Sequence, residues 1–244
     1  MPPAPHLDQR RLLDVQALDT QLAKLAHAKR THPTIAALAE LDGRAADLHR
    51  AAVLQTSTVA DLKRALTKAE DDVAQVRTRR ERDQQRLDAG AFDAKTSQAV
   101  TAELGSLARR QSDLEDVELE AMEALEAADA DLASIREQEG AIDADVARLT
   151  AERDEALAEL TRQEEEIAAR RAVAVDGIDA ALLALYEKVR RQNAGLAVLA
   201  VRGSTTEPVR LDLSLSEVAA IKAAGPDELL RDEEHGYILV RLDD

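Results

Sequence analysis

From Leu38 onward, apolar side chains recur at alternating steps of three and four: Leu38, Leu41, Ala45, Leu48, Ala52, Val59, Leu62, Leu66, Ala69, Val73, Val76 and Leu87 share one seam, interrupted only by Gln55, Arg80 and Asp83. This spacing keeps successive residues on one side of a slightly underwound helix, so that two such helices can bury a common seam. A second seam runs from Leu104 through Leu107, Leu114, Ala121, Leu125, Ala128, Leu132, Ile135, Ile142, Val146, Leu149, Ala156 and Leu160 to Ile167 and Arg170, with Gln111, Glu118, Glu139, Arg153 and Gln163 as further polar members. A shorter one, Val15, Leu18, Leu22 and Leu25, precedes both. The pattern predicts long coiled-coil helices over residues 7–172.

The interruptions say how these helices connect. In Asp88-Ala89-Gly90-Ala91-Phe92-Asp93, Gly90 can adopt the left-handed conformation that closes one helix, and Asp93 can cap the next. Pro33 bars continuation of a preceding helix and biases His32 away from helical geometry, yet it suits the first turn of a new helix, which predicts a break near 31–33. The arms on either side of Gly90 then match in length, residues 7–30 with 34–88 against residues 94–172. Folded back at the turn near 88–93, they form an antiparallel hairpin about 118 Å long at ~1.5 Å per residue. Positions whose numbers sum to roughly 182 should face each other, Leu62 near Glu120 and Leu22 near Leu160, within a few residues. Pairing of the same seams between separate chains is the alternative, and oligomeric state is left open.

After residue 172 the heptads lapse. Asp176 is expected to cap a connecting helix (residues 173–195) with Ile178, Leu182, Leu185, Tyr186 and Val189 on its apolar face, ended by Asn193-Ala194-Gly195. Residues 196–244 change texture. Leu196 to Val201 is β-prone, Val209 to Leu213 alternates, Ser214 or Ser216 can cap a short helix through Val218 and Ile221, and Leu229 to Leu242 reads as a hairpin about Asp232–Gly236. The fold class is mainly α, a long antiparallel coiled-coil hairpin followed by a small α+β domain.

Composition narrows the chemistry. Only Phe92, Tyr186 and Tyr237 are aromatic, and the apolar residues are mostly Ala, Leu and Val, which argues against a deep ligand pocket. There is no cysteine, hence no disulfide, thiol catalysis or thiolate-bound metal. The five histidines are scattered, and no Gly-rich phosphate loop or metalloprotease motif is present. No catalytic residue, cofactor or membrane span is expected, and the reading is of a cytoplasmic protein.

Charge adds a polarity. The chain carries a net −16, but residues 77–110 hold eight basic and five acidic groups, a local +3. Folding at Gly90 should gather Arg77, Arg79, Arg80, Lys95, Arg109 and Arg110 into a basic collar around Phe92, a candidate contact for an acidic protein surface. Phe92 is either an exposed anchor or a plug that folds back onto the hairpin end.

The tip Gly90-Ala91-Phe92-Asp93-Ala94-Lys95, the run Glu103-Leu104-Gly105-Ser106-Leu107-Ala108-Arg109-Arg110-Gln111-Ser112-Asp113-Leu114-Glu115-Asp116 and the C-terminal Gly236-Tyr237-Ile238-Leu239-Val240-Arg241-Leu242 together resemble a bacterial family in which a long coiled-coil hairpin carries a C4-type zinc-ribbon domain. The resemblance covers nearly the whole chain. It places the ribbon's two Cys-x-x-Cys knuckles at Thr206-Glu207-Pro208-Val209 and Asp232-Glu233-Glu234-His235, where all four ligands are gone. Asp232 and His235 remain as a poor pair of metal ligands, and a solvated acidic turn is the better reading. Without metal, packing among Leu211, Leu213, Val218, Ile221, Leu230, Ile238 and Val240 must hold the domain. The resemblance implies protein partners, since some members act as chaperones or scaffolds linked to alternative sigma factors, flagellar assembly or secretion. The function expected is a non-enzymatic adaptor, with nucleic-acid binding as the alternative because zinc ribbons often serve that role.

Overall fold

The computed structural model describes residues 4–203, 205–211 and 213–242. Among these residues the elements follow in the order α1 (His6–Arg30), α2 (Pro33–Asp88), α3 (Ala94–Val175), α4 (Ala180–Gln192), β1 (Val198–Arg202), β2 (Thr205–Glu207), α5 (Leu215–Ala223), β3 (Leu230–Arg231) and β4 (Ile238–Arg241). Both interruptions fall where Pro33 and Gly90 place them. The chain divides into two compact units, residues 37–149 and residues 1–36 with 150–244.

The unit 37–149 is an antiparallel helix pair made by one chain. Every seam position from Leu38 to Leu87 is buried or half-buried except Arg80, and so is every one from Leu104 to Leu149. Val59, Ala128 and Leu132 form a core cluster with Ala52, Leu62 and Leu125 packed against it, and Gln55 donates to the Ala128 carbonyl at 2.9 Å. Leu62 therefore packs in the cluster of Leu125, and the expected neighbour Glu120 is exposed. The shift has a simple cause: counting from the turn matches residue numbers, but register follows burial, and Glu120 lies one residue off the seam that contains Ala121 and Leu125.

The other unit is built around a mixed sheet of order β2-β1-β4-β3, in which β1 and β4 run parallel. Alternation along β1 and β4 sends Val198, Ile238 and Val240 to one face, where they join Leu12 and Val15 of α1 and Leu182, Tyr186 and Val189 of α4. Leu199, Val201 and Leu239 point to the other face, against Ile221 of α5 with Leu211, Leu213 and Leu230. The residues expected to form a single core are thus split between two layers, as a period of two requires. The unit also departs from the expected division at residue 172, because α1 belongs with the sheet. Gln16 explains part of this: its amide accepts from Ala197 N–H at 2.7 Å and donates to the Gly195 carbonyl at 2.9 Å, bracketing the backbone that enters β1.

Two local expectations change. Asp179, not Asp176, caps α4 by accepting from Leu182 N–H at 2.9 Å, because Gly177 (φ +77°) turns the chain after α3 and Arg11 binds the carbonyls of Ala174 and Asp176. Of the strand expected over 209–213, the described residues 209–211 and 213 are loop, and β2 precedes them and ends at Glu207. Pro208 has no N–H for the ladder, and Thr206 takes up the local backbone groups, donating to Val209 O and accepting from Leu211 N–H, each at 2.7 Å. Asp212 lies outside the described residues. Ser214 does cap α5, in a capping box with Glu217 that holds the Glu217 carboxyl below its ordinary range.

Thr206 and Asp232 stand at the two positions where the resemblance put the first ligand of each knuckle, and both are buried. The Asp232 carboxylate accepts from the backbone amides of Glu234 at 3.1 Å, His235 at 2.7 Å and Tyr237 at 2.5 Å. A side chain closes each turn by hydrogen bonding. Among the described residues, no group of three or more His, Asp or Glu side chains is arranged to hold a metal ion. We expect Asp232→Ala to cost about 2 kcal/mol, because three backbone donors lose their acceptor, and a chelator to leave the wild-type melting curve unmoved; a chelator-induced drop would show a metal in the fold.

The base of the hairpin is tied by a buried network. Asp19 of α1, 4% exposed, accepts from the Tyr186 hydroxyl at 2.6 Å and from Arg171 Nε at 2.6 Å, with Arg190 at 3.6 Å, while Arg171 and Arg190 share Glu187. Burial first, and the bond to Asp19 second, push the Tyr186 phenol well above its ordinary range. An acid raised in the folded state stabilises the protein fully below the unfolded value, about 10 for tyrosine, and less as pH climbs beyond it. Tyr186→Phe should therefore flatten the alkaline decline in stability, read as urea midpoints across that range.

Candidate functional site

The tip is shaped by backbone chemistry. Ala91 N–H donates to Arg86 O at 3.1 Å and Gly90 N–H to Leu87 O at 3.1 Å, the paired bonds of a Schellman motif with Gly90 (φ +66°) in the left-handed position. Asp93 then opens α3 by accepting from Thr96 N–H at 2.7 Å, and that bond holds its carboxyl below the ordinary range. Gly90→Ala should cost about 1 kcal/mol by forcing a Cβ into left-handed geometry, a change measurable by thermal melting.

The expected collar residues fall into two groups. Arg77 is committed to Glu115 at 3.2 Å, Arg79 to Glu103 and to Asp83 at 3.8 Å, and Arg80 to the Gln111 side chain at 3.0 Å. The contacts with Glu115, Glu103 and Gln111 tie α2 to α3, so Arg80 lies beside the Arg109–Arg110 region, whereas Arg79 is held at Glu103. Lys95, Arg109 and Arg110 are exposed and make no ion pair with any described residue. Phe92 is half-buried, and the Arg86 guanidinium sits 4.9 Å from its ring centroid. It is neither a free anchor nor a buried plug.

Arg82 and Arg86 belong to the site as well. Both are exposed, Arg82 has no intrachain ion pair among the described residues, and Arg86 covers the aromatic ring. The signal was present, since the Schellman motif joins position 86 to 91 and so returns the Arg86 side chain to the turn. Recesses here are shallow grooves between polar side chains, one of about 430 Å³ lined by Arg77, Arg80, Glu81, Gln84, Gln85 and Gln111. Such a surface binds through charge and shape more than by enclosure.

Residues 15–194 match the family described as the CT398-like coiled coil hairpin domain. The chain belongs to that family. An uncharacterized protein of Mycobacterium tuberculosis is 34% identical over 236 residues, 96% of each chain. A solved structure from Mycobacterium smegmatis superposes with a TM-score of 0.84 at 30% identity, covering 98% of this chain and all of the other. CT398 from Chlamydia trachomatis has the same fold, with a TM-score of 0.71 at 16% identity over 97% of this chain and 98% of its own. Among the described residues, no helix of this family member is long and apolar enough to cross a membrane.

Proposed function

We propose that this CT398-like chain is a non-enzymatic protein-interaction adaptor whose hairpin tip docks on an acidic partner surface. The observation that carries the reading is the division of labour among the tip cations: Arg77, Arg79 and Arg80 hold the two helices together, leaving Arg82, Lys95, Arg109 and Arg110 exposed without an ion-pair partner among the described residues. Exposed, unmatched guanidiniums on a rigid helical support attract carboxylates at low ordering cost. The C-terminal unit supports a second contact. Leu215 is 92% exposed at the start of α5, beside a cavity of about 400 Å³ lined by residues that include Arg210, Ser214 and Glu217.

Nucleic acid is the second reading and has less behind it: the lone aromatic ring at the tip has a face occupied by Arg86, leaving little platform for bases. The test compares retention of partner proteins and of RNA on immobilised wild type, on Arg109→Glu/Arg110→Glu, and on Arg136→Glu, an exposed position farther along α3. Protein retained by wild type and Arg136→Glu but lost from the tip variant supports the adaptor; equal retention on all three refutes it.

A further inference from the structure

What α1 buries is unusual for a coiled-coil arm. Positions 9, 12, 16 and 19 follow the alternating steps of three and four that make one seam, and they read Gln9, Leu12, Gln16 and Asp19. The three polar members are 1%, 5% and 4% exposed. Gln9 donates to the carbonyls of Ala4 at 2.8 Å and Pro226 at 3.4 Å, Gln16 brackets Gly195 and Ala197, and Asp19 accepts from Tyr186 and Arg171. Asp227, next to Pro226, accepts from the backbone N–H groups of Ala4 and His6 at 2.9 Å each. All these partners lie in the same compact unit as α1.

Such a seat accepts the helix in one register. A slide of one turn puts Leu12 or Thr20 in the place of Gln16, and Val15 or Ala23 in the place of Asp19, and neither pair reproduces both sets of bonds. A slide of seven residues brings Gln9 to the place of Gln16 but sets Leu12 against the Arg171 guanidinium and the Tyr186 hydroxyl. Each wrong register strands buried polar groups, which costs more than the bonds themselves contribute.

The seat also resists partial release. Lifting α1 takes the acceptor from the Ala197 N–H and from Arg171, and removes Leu12 and Val15 from Val198, Ile238 and Val240. Only α4 is then left over that face of a sheet whose outer strands have three and two residues. A sheet this small depends on the helices packed against it. We propose that α1 is a polar latch: it and the sheet open and close as one event, while the helix pair of the unit 37–149 stays closed. A terminal helix held by apolar contact alone would instead fray ahead of the elements it covers. The latch makes the apolar face of Val198, Ile238 and Val240 accessible only when α1 has left it.

Native-state hydrogen exchange of the full chain in rising, sub-denaturing urea tests the latch. Amides of α1 from Gln16 to Leu22 and those of β1 and β4 should merge into one opening transition with one urea dependence, distinct from that of residues 55–66 and 121–132 in the helix pair. Gln16→Ala should then speed exchange in α1 and in β1 and β4 by the same factor, about tenfold or more, and leave the helix pair unchanged. If that variant opens its unit completely, loss of protection in α1 and the sheet together, with the helix pair still protected, is the same result. Exchange of α1 ahead of a protected sheet in the wild type, acceleration of α1 alone in the variant, or one transition shared by the whole chain overturns the proposal.

Discussion

Reversing Arg109 and Arg110 to glutamate weakens partner retention at least about tenfold while leaving the helix content and melting temperature of the protein near wild type. The magnitude follows from two charge-assisted contacts of about 1 kcal/mol each turned into repulsions, and about 1.4 kcal/mol is a factor of ten. The unchanged fold follows from position, since both side chains are exposed on α3 and pair with nothing in the chain among the described residues. Reversing Arg79 instead would repel Glu103 and loosen the hairpin, confusing loss of contact with loss of structure. Retention measured against salt gives a second check, because a charge-based contact weakens as screening rises.

The largest effect on stability is expected at Arg171→Ala, about 3 kcal/mol by denaturant unfolding. The substitution removes two hydrogen bonds to Asp19, at 2.6 and 3.1 Å, and an ion pair with Glu187. The Asp19 carboxylate, 4% exposed, is left with Tyr186 and the more distant Arg190. Stranding a buried charge is more costly than the pair is stabilising, so Asp19→Ala/Arg171→Ala should lose less than the two single losses added together. Strict additivity in that cycle would mean that the two residues do not act as a unit.

The hairpin was legible because a coiled coil writes its burial into a repeat. Leu38 to Leu87 could be assigned to the seam without coordinates, and Pro33 and Gly90 mark backbone requirements that few other residues meet. Register was less legible, since it depends on how Val59, Leu62, Leu125 and Ala128 interlock across two arms far apart in sequence. The placement of α1 against the sheet was hidden for a similar reason. Its decisive residues are Gln16 and Asp19, polar side chains whose roles exist only once the Gly195–Ala197 backbone and Arg171 come near. At the tip, net charge located the collar, but a count of arginines does not reveal that Arg77, Arg79 and Arg80 are already committed while Arg82 is not.

Contact through the tip is tested most directly by placing a photo-crosslinking amino acid at position 92 and, in a parallel chain, at exposed Val53 on α2, then irradiating in cells. The account predicts an adduct from position 92 whose crosslinked peptide lies in an acidic segment of another protein molecule, absent when Arg109 and Arg110 are glutamate, and little from position 53. Adducts of equal yield from both positions, or an adduct at 92 indifferent to that charge reversal, would contradict it.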